Sequence, residues 1–358
     1  MLNQRFIYIL IAVIFFSVAL SSLPVKARLA EQSPPYQDKT EMIDQWKALC
    51  DKYPLYASYE VVGKSLQGKD IFLFKVGNPN GGRVMFDGET HGNEDGGTEL
   101  EYLFVRWLLE SNDQVAIHIL QSNYNLFIPI INMDSTWRQN LRRQYVLVNG
   151  TTIDVPHGVD LNRNAVTGFS TNGSGDPNND YNYRGLYGGS EPETQAWRSA
   201  VAKYKPSIYL NTHIGEENYP LWYSNDTDLT RTIISNLDSV YQSYGFATPF
   251  YKVKNGQFGG EIAYDATFSF GASGWTIEFC GWKELQPTLD QWTAIWYPKA
   301  QPLFIAFNKS VEVNSSFWPL LFNKVFSIKD MYVILGIIGA MILISILLIR
   351  SRLMWRMG

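Results

Sequence analysis

Apolar positions recur along this chain in two rhythms, and the way the rhythms alternate predicts a fold. Leu100, Leu103, Phe104, Trp107 and Leu108 fall at helical spacing and predict a helix over 98–110; segments 41–51 and 229–244 read the same way. Short apolar runs predict strands at 58–64, 70–76, 83–86, 124–131, 207–211 and 275–279, the first two joined by a turn at Gln67-Gly68. The run at 124–131 is apolar enough to be buried on both faces. Ser190-Glu191-Pro192-Glu193 reads as a capping box with proline in the first turn, opening a helix to Lys203. A last helix, 289–308, is expected to be interrupted or kinked at Pro298 and Pro302. Strands alternating with helices predict one α/β domain over 36–312, with a mixed, largely parallel central sheet and helices on both faces. Such sheets carry their sites beyond the carboxyl ends of the strands.

The two ends follow other patterns. Residues 1–27 read as a signal peptide: Arg5, an apolar run over 6–20, and Val25-Lys26-Ala27 at a candidate cleavage point. An uncleaved anchor is the alternative, since the apolar stretch extends to Val25. Residues 331–349 carry no charge and are long enough to cross a bilayer as a helix. Arg350, Arg352 and Arg356 follow directly, which predicts a cytoplasmic tail over 350–358. Residues 313–330 read as a juxtamembrane stalk. The expected location is the cell membrane, in a single pass, with the domain outside. Sequons at Asn149, Asn172, Asn225, Asn308 and Asn314 fit an exported domain.

Composition narrows the classes. The chain has 358 residues, 46% hydrophobic and 15% aromatic, enough for a large packed core. A net charge of −4 with no basic stripe argues against a nucleic-acid partner. Cys50 and Cys280 are the two cysteines, so a disulfide scaffold and a thiolate zinc site are both excluded. Whether the two form a single bridge or stay as buried thiols is open at this stage.

Candidate chemistry centres on His91-Gly92-Asn93-Glu94, between the strand at 83–86 and the helix at 98–110. A histidine at a strand end and a carboxylate entering a helix can converge on one ion, and catalytic zinc takes three such ligands. His213, just past the strand at 207–211, is the natural third. His118, in a loop-like stretch, and His157, in a Pro/Gly turn, read as structural. A second signal is Gly158-Val-Asp-Leu-Asn-Arg-Asn164, where Asn162 and Arg163 set several donors side by side and an arginine fork matches a carboxylate. Glu278, charged on an apolar strand, calls for a partner or a task.

In order, HGNE, TWRQN, GVDLNRN, SEPET, NTH and TIEF resemble the zinc metallocarboxypeptidases of the pancreatic carboxypeptidase A/B type, over residues 59–308. The resemblance implies a zinc carboxypeptidase-like fold and one zinc ion held by His91, Glu94 and His213. Asp160 would then hold the free ring nitrogen of His91. Arg138 would polarise the scissile carbonyl, Asn162 and Arg163 would grip the substrate's terminal carboxylate, and Glu278 would be the general base. Tyr251 matches the tyrosine that closes over substrate, with Tyr264 as competitor. Asn93 departs from the family, which has arginine there. Residues 28–40 are too few for an activation segment, which implies no zymogen. Glu261, in the loop 252–265, reads as a solvated glutamate; were it to line the specificity pocket, it would favour lysine or arginine. The implied activity is removal of the C-terminal residue from peptides or proteins by Glu-assisted attack of a zinc-activated water. The alternatives are a zinc amidase or cell-wall peptide hydrolase, and a non-catalytic peptide-binding ectodomain.

Overall fold

The computed structural model describes residues 39–311, apart from 93, 136–144, 149–150, 155–157, 179–181, 216–219, 247–250, 257–258 and 282–290. The expected signal peptide, stalk, membrane helix and tail all lie outside the described residues. Among those residues, no helix is long and apolar enough to cross a membrane.

The sheet is built from β1 (Ala57–Lys64), β2 (Asp70–Gly77), β3 (Gly82–Asp87), β4 (Asn123–Ile128), β7 (Ile208–Gly215), β8 (Pro220–Tyr223), β9 (Lys252–Asn255) and β10 (Ser273–Gly281). Its order is β1-β2-β4-β3-β7-β10-β8-β9. The central strands β4, β3, β7 and β10 run parallel, β1–β2, β2–β4 and β10–β8 pair antiparallel, and β8–β9 is parallel. The sheet is therefore mixed, with its parallel part in the middle. A separate hairpin pairs β5 (Tyr145–Val148) with β6 (Thr151–Asp154).

Helices cover both faces, and strand alternation decides what each face meets. On one side lie α1 (Lys39–Lys52), α2 (Asp95–Glu110), α3 (Gln114–Ser122) and α7 (Tyr297–Lys309). Trp46 of α1 is fully buried against Phe74, Tyr102 and Phe127, and Phe86 meets Phe104 and Phe304. On the other side lie α4 (Pro192–Tyr204) and α6 (Ile262–Phe270), with Trp197 edge-on to Tyr209. α5 (Asp228–Ser243) is tied to α7, the Tyr241 hydroxyl donating to Lys299 O. Fully buried aromatics on both faces are worth several kcal/mol each against truncation.

Several expectations are corrected. The strand expected at 207–211 continues to Gly215, so His213 sits on β7 rather than beyond it. The loop-like stretch around His118 is the helix α3, begun by Asp113 accepting from Val115 N, and His118 is exposed on it. The capping box does not form. Glu191 is the N-cap of α4 with no side-chain capping bond, Glu193 instead accepts from Leu66 N, and Glu191 N donates to Asn164 Oδ1. A tertiary partner outcompeted the local one. The kink expected near Pro298 and Pro302 appears as a π-helical segment, Trp292–Trp296, leading into α7 with Pro298 in its first turn and Pro302 inside. Cys50 is a free, buried thiol whose pKa burial pushes up to about 12, while the side chain of Cys280 lies outside what the structure describes. Asn308 is fully buried and bonded to Asn123, which removes that sequon from the surface.

Close approach of α2 to β7 depends on glycine. A Cβ on Gly97 would lie 2.5 Å from Thr212 Oγ1, and one on Gly96 would lie 1.9 Å from the Trp292 ring. Gly97→Ala is expected to destabilise the fold by about 1–3 kcal/mol through overpacking. Thermal unfolding of the purified variant checks this; an unchanged Tm would mean that Thr212 yields without cost.

Candidate metal centre

β3 ends at Asp87, and the chain turns through Gly88, Glu89 and Thr90 before His91. Glu89 has φ +46°, a left-handed conformation that costs a non-glycine residue roughly 1–2 kcal/mol. It is held by a buried ion pair with Lys39 of α1. The same ammonium donates to Asn132 O at 2.9 Å and Ser135 Oγ at 3.0 Å. The turn that presents His91 is thus braced from the first described helix. Glu94 follows as the residue before α2, and His213 arrives from β7.

These three side chains meet. Their ligand atoms all lie within 4.8 Å of one another, and the two imidazole centroids are 4.9 Å apart. Glu94 bridges the rings: Oε1 is 2.8 Å from His91 Nδ1 and Oε2 is 2.7 Å from His213 Nδ1. The outer ring nitrogens are otherwise engaged. His91 Nε2 lies 3.1 Å from Asp160 Oδ1, and His213 Nε2 donates to Asn211 Oδ1. With the outer Nε2–H of each ring engaged, Nδ1 is the atom that faces Glu94: it donates to the carboxylate while the ring is protonated, and it offers its lone pair to an ion once the ring is neutral.

The surroundings supply negative potential. Burial opposes protonation of both imidazoles, yet both are raised, because Glu94, joined at His91 by Asp160, outweighs it. Burial likewise pushes Glu94 up, and the two imidazoles more than reverse this. A buried carboxylate and two inward imidazole nitrogens form a donor set that attracts positive charge and suits zinc. The residues present fit that ion.

Two supports escaped the sequence reading. Asn211 shares a face of β7 with His213, two residues on, and its Nδ2 donates to Asp87 Oδ1 at 2.8 Å and Thr90 Oγ1 at 3.0 Å. Asp87 is fully buried, also accepts from the Tyr209 hydroxyl, and is pushed by burial up to about 7. Period-two spacing from a candidate histidine was the available signal.

The remaining candidates fall as follows. Asp160 caps the short 3₁₀ turn Leu161–Arg163 by accepting from Asn162 N at 3.0 Å. Asn162 is buried; its Nδ2 lies 3.3 Å from His213 Nε2, and its Oδ1 accepts from Ile262 N. Arg163 Nη1 donates to Asn162 O at 2.8 Å and to Glu261 Oε1 at 3.1 Å. Glu261 is therefore not a solvated loop residue: it is the N-cap of α6, half-buried and ion-paired. Glu278 is the register neighbour of His213 across the parallel β7–β10 pair, so both project to one face, and its charge helps raise the His213 imidazole. Tyr251 donates to Asp238 and packs on Tyr241, both of α5. Tyr264, on α6, packs on Phe268 and lines a recess with Glu261. Arg138, Asn93 and His157 lie outside the described residues.

A mixed sheet with a largely buried His–Glu–His cluster at the carboxyl ends of its parallel strands defines an α/β protein with a candidate metal centre. The chain belongs to the zinc carboxypeptidase family, whose model matches residues 42–294. It is 24% identical to the mast cell carboxypeptidase A of Rattus norvegicus over 190 residues, which is 49% of this chain and 43% of that protein. It is 26% identical over 218 residues to an inactive metallocarboxypeptidase of Ajellomyces capsulatus, covering 53% of this chain and 34% of the relative. The chain thus spans less than half the length of the curated relatives it matches. Among solved structures, a carboxypeptidase A from Helicoverpa armigera superposes with a TM-score of 0.63 at 16% identity, over 83% of this chain and 81% of that one. Thrombin-activatable fibrinolysis inhibitor gives 0.64 at 15%, over 77% and 74%. These two likenesses establish the fold.

Asn211 carries a direct test. Asn211→Ala removes the acceptor for His213 Nε2 and is expected to weaken zinc binding about 10–100-fold. Competition with a chromogenic chelator reads this; wild-type affinity in the variant would refute the orienting role.

Proposed function

We propose that this chain is a zinc-dependent carboxypeptidase that removes the C-terminal residue of peptides. The observation that carries the reading is the convergence of His91, Glu94 and His213 within 4.8 Å, with Glu278 beside His213 on the next strand. The inactive relative shows that family membership alone does not guarantee turnover; the presence here of all three ligands and of an acid next to them favours an active enzyme over a binding ectodomain.

His91 Nδ1, Glu94 and His213 Nδ1 would hold one zinc ion. When bound, zinc supplies Lewis acidity towards a carbonyl oxygen and lowers the pKa of a water. Asp160 and Asn211 keep the two rings turned inward through their Nε2 atoms. The Glu278 carboxylate accepts a proton from the attacking water and delivers it to the leaving amine, so the peptide bond yields one new carboxylate and one amine. Arg163 and Asn162 receive the substrate's terminal carboxylate, which sets the scissile bond one residue away. Arg138 is assigned to the carbonyl oxygen and Tyr251 to closure over the substrate on family resemblance. Tyr251 would have to leave Asp238 to do so. An exported, membrane-anchored setting, with residues 331–349 as the single span, is proposed from the sequence pattern.

The test is metal analysis combined with amino-acid release from a peptide mixture. One zinc per chain and free C-terminal residues are expected; metal-loaded protein that releases none would overturn the reading. Glu278→Gln should retain zinc and lose turnover by roughly two or more orders of magnitude. A variant with near-normal kcat would reassign the base. Arg163→Ala should raise KM strongly for peptides with a free C-terminus and far less for amidated ones. Equal effects on both would remove Arg163 from carboxylate binding.

A further inference from the structure

The turn that carries Arg163 is clasped by α6. Leu161 and Ala165 are fully buried, but Val166 beyond them is 42% exposed, so apolar packing does not fix the far side of the turn. Hydrogen bonds hold it instead. Ala165 N donates to Gly260 O at 3.1 Å, and Gly260 N returns a bond to Thr167 O at 2.9 Å. The two backbones touch: a Cβ on Gly168, whose φ is +72°, would lie 2.5 Å from Gly259 Cα. Asn162 joins the same clasp, its Oδ1 accepting from Ile262 N at 3.1 Å.

One side chain of α6 completes the arrangement. Asp265 is fully buried, and four donors converge on its two carboxylate oxygens. Oδ1 accepts from Thr167 N at 3.2 Å and from Ser269 Oγ at 2.6 Å. Oδ2 accepts from Val166 N at 3.4 Å and from the guanidinium of Arg198 on α4. Arg198 is itself seated over the Phe270 ring, 4.9 Å from its centroid. Burial pushes the Asp265 carboxyl up, and the bonds from Arg198, Ser269 and Thr167 more than reverse this, holding it below its usual range. An ionised aspartate accepts on both oxygens and donates nothing, which suits a set made only of donors. An amide in its place would turn an NH₂ group towards two of them.

The consequence falls on Arg163, three residues before Val166. Its N–H donates to Asp160 O, and its Nη1 is shared between Asn162 O and Glu261 Oε1. Those contacts orient the guanidinium, but the backbone beneath it stands where the clasp puts it. Fork-on-fork capture of a carboxylate depends on angle as well as distance. A misplacement of about 1 Å can cost on the order of 10²-fold.

We propose that Asp265 is a positioning residue for carboxylate recognition: by gathering the Val166 and Thr167 N–H groups and Arg198 onto one buried carboxylate, it sets where Arg163 meets the C-terminus of the substrate. Asp265 acts through the turn and not by contact with substrate. The inference rests on the carboxypeptidase reading and adds to it the residue that aims the carboxylate-binding arginine.

The test uses the full zinc-loaded chain and two peptides that differ only in a free or an amidated C-terminus. In Asp265→Asn, KM for the free peptide should rise about tenfold or more, while kcat, zinc affinity and the inhibition constant of the amide stay within about twofold of wild type. Arg198→Gln should raise the same KM by a smaller factor. Arg198→Lys should recover part of it, because an ammonium still answers the carboxylate as a point charge. A free-peptide KM that stays at the wild-type value in Asp265→Asn overturns the proposal, as does an equal loss on both peptides, which would make Asp265 merely structural. Should Asp265→Asn fail to fold, Arg198→Gln, at a position 24% exposed, decides by the same comparison. Calorimetry with both peptides separates this inference from the enzymatic reading. A wild-type chain that prefers the free peptide, loses that preference in Asp265→Asn and hydrolyses neither sinks the carboxypeptidase and leaves this inference standing. One that hydrolyses the free peptide and keeps its preference in Asp265→Asn does the reverse.

Discussion

Glu94 is a carboxylate taken almost wholly out of water, and such a group survives in a fold only if positive charge meets it. Two imidazoles do so, one on each oxygen, at 2.8 and 2.7 Å. Every neighbouring feature serves that meeting. Glu94 must stand at the start of α2, His91 must be turned back by an unusual backbone at Glu89, and His213 must come from a strand that the chain reaches more than a hundred residues later. The arrangement is one that a cation completes, because both inward nitrogens and both carboxylate oxygens converge on one small volume.

Polar groups behind the cluster are linked into one network. Asp160 and Asn211 hold the outer ring nitrogens, Asp87 and Thr90 hold Asn211, and Tyr209 holds Asp87. A buried polar chain of this kind is costly if any member is unsatisfied, which makes it stiff when complete. Lys39 extends the bracing to α1 through Glu89 and Asn132. Glycines at 96 and 97 let α2 come close enough to β7 and Trp292 for the ligands to touch. The metal centre and the packing of the parallel strands are therefore one structural problem.

The sequence by itself determined the elements with strong periodicity and the identity of the candidate metal ligands. α1, α2, the first four strands and α5 were legible, because apolar spacing reports local geometry directly. His91, Glu94 and His213 were legible as residue types able to share an ion, and Glu278 as a charge out of place on an apolar strand. The tertiary structure alone decided the rest. Ser190 to Glu193 lost its capping box to Leu66 and Asn164, partners invisible to a local pattern. Asn211 became a ligand support only because β7 runs beside β3. Glu261, which reads as a solvated loop residue in the chain, was drawn inward by Arg163, 98 residues away. The division follows from range: local periodicity is written in neighbouring residues, while burial and charge compensation depend on which distant segments the sheet brings together.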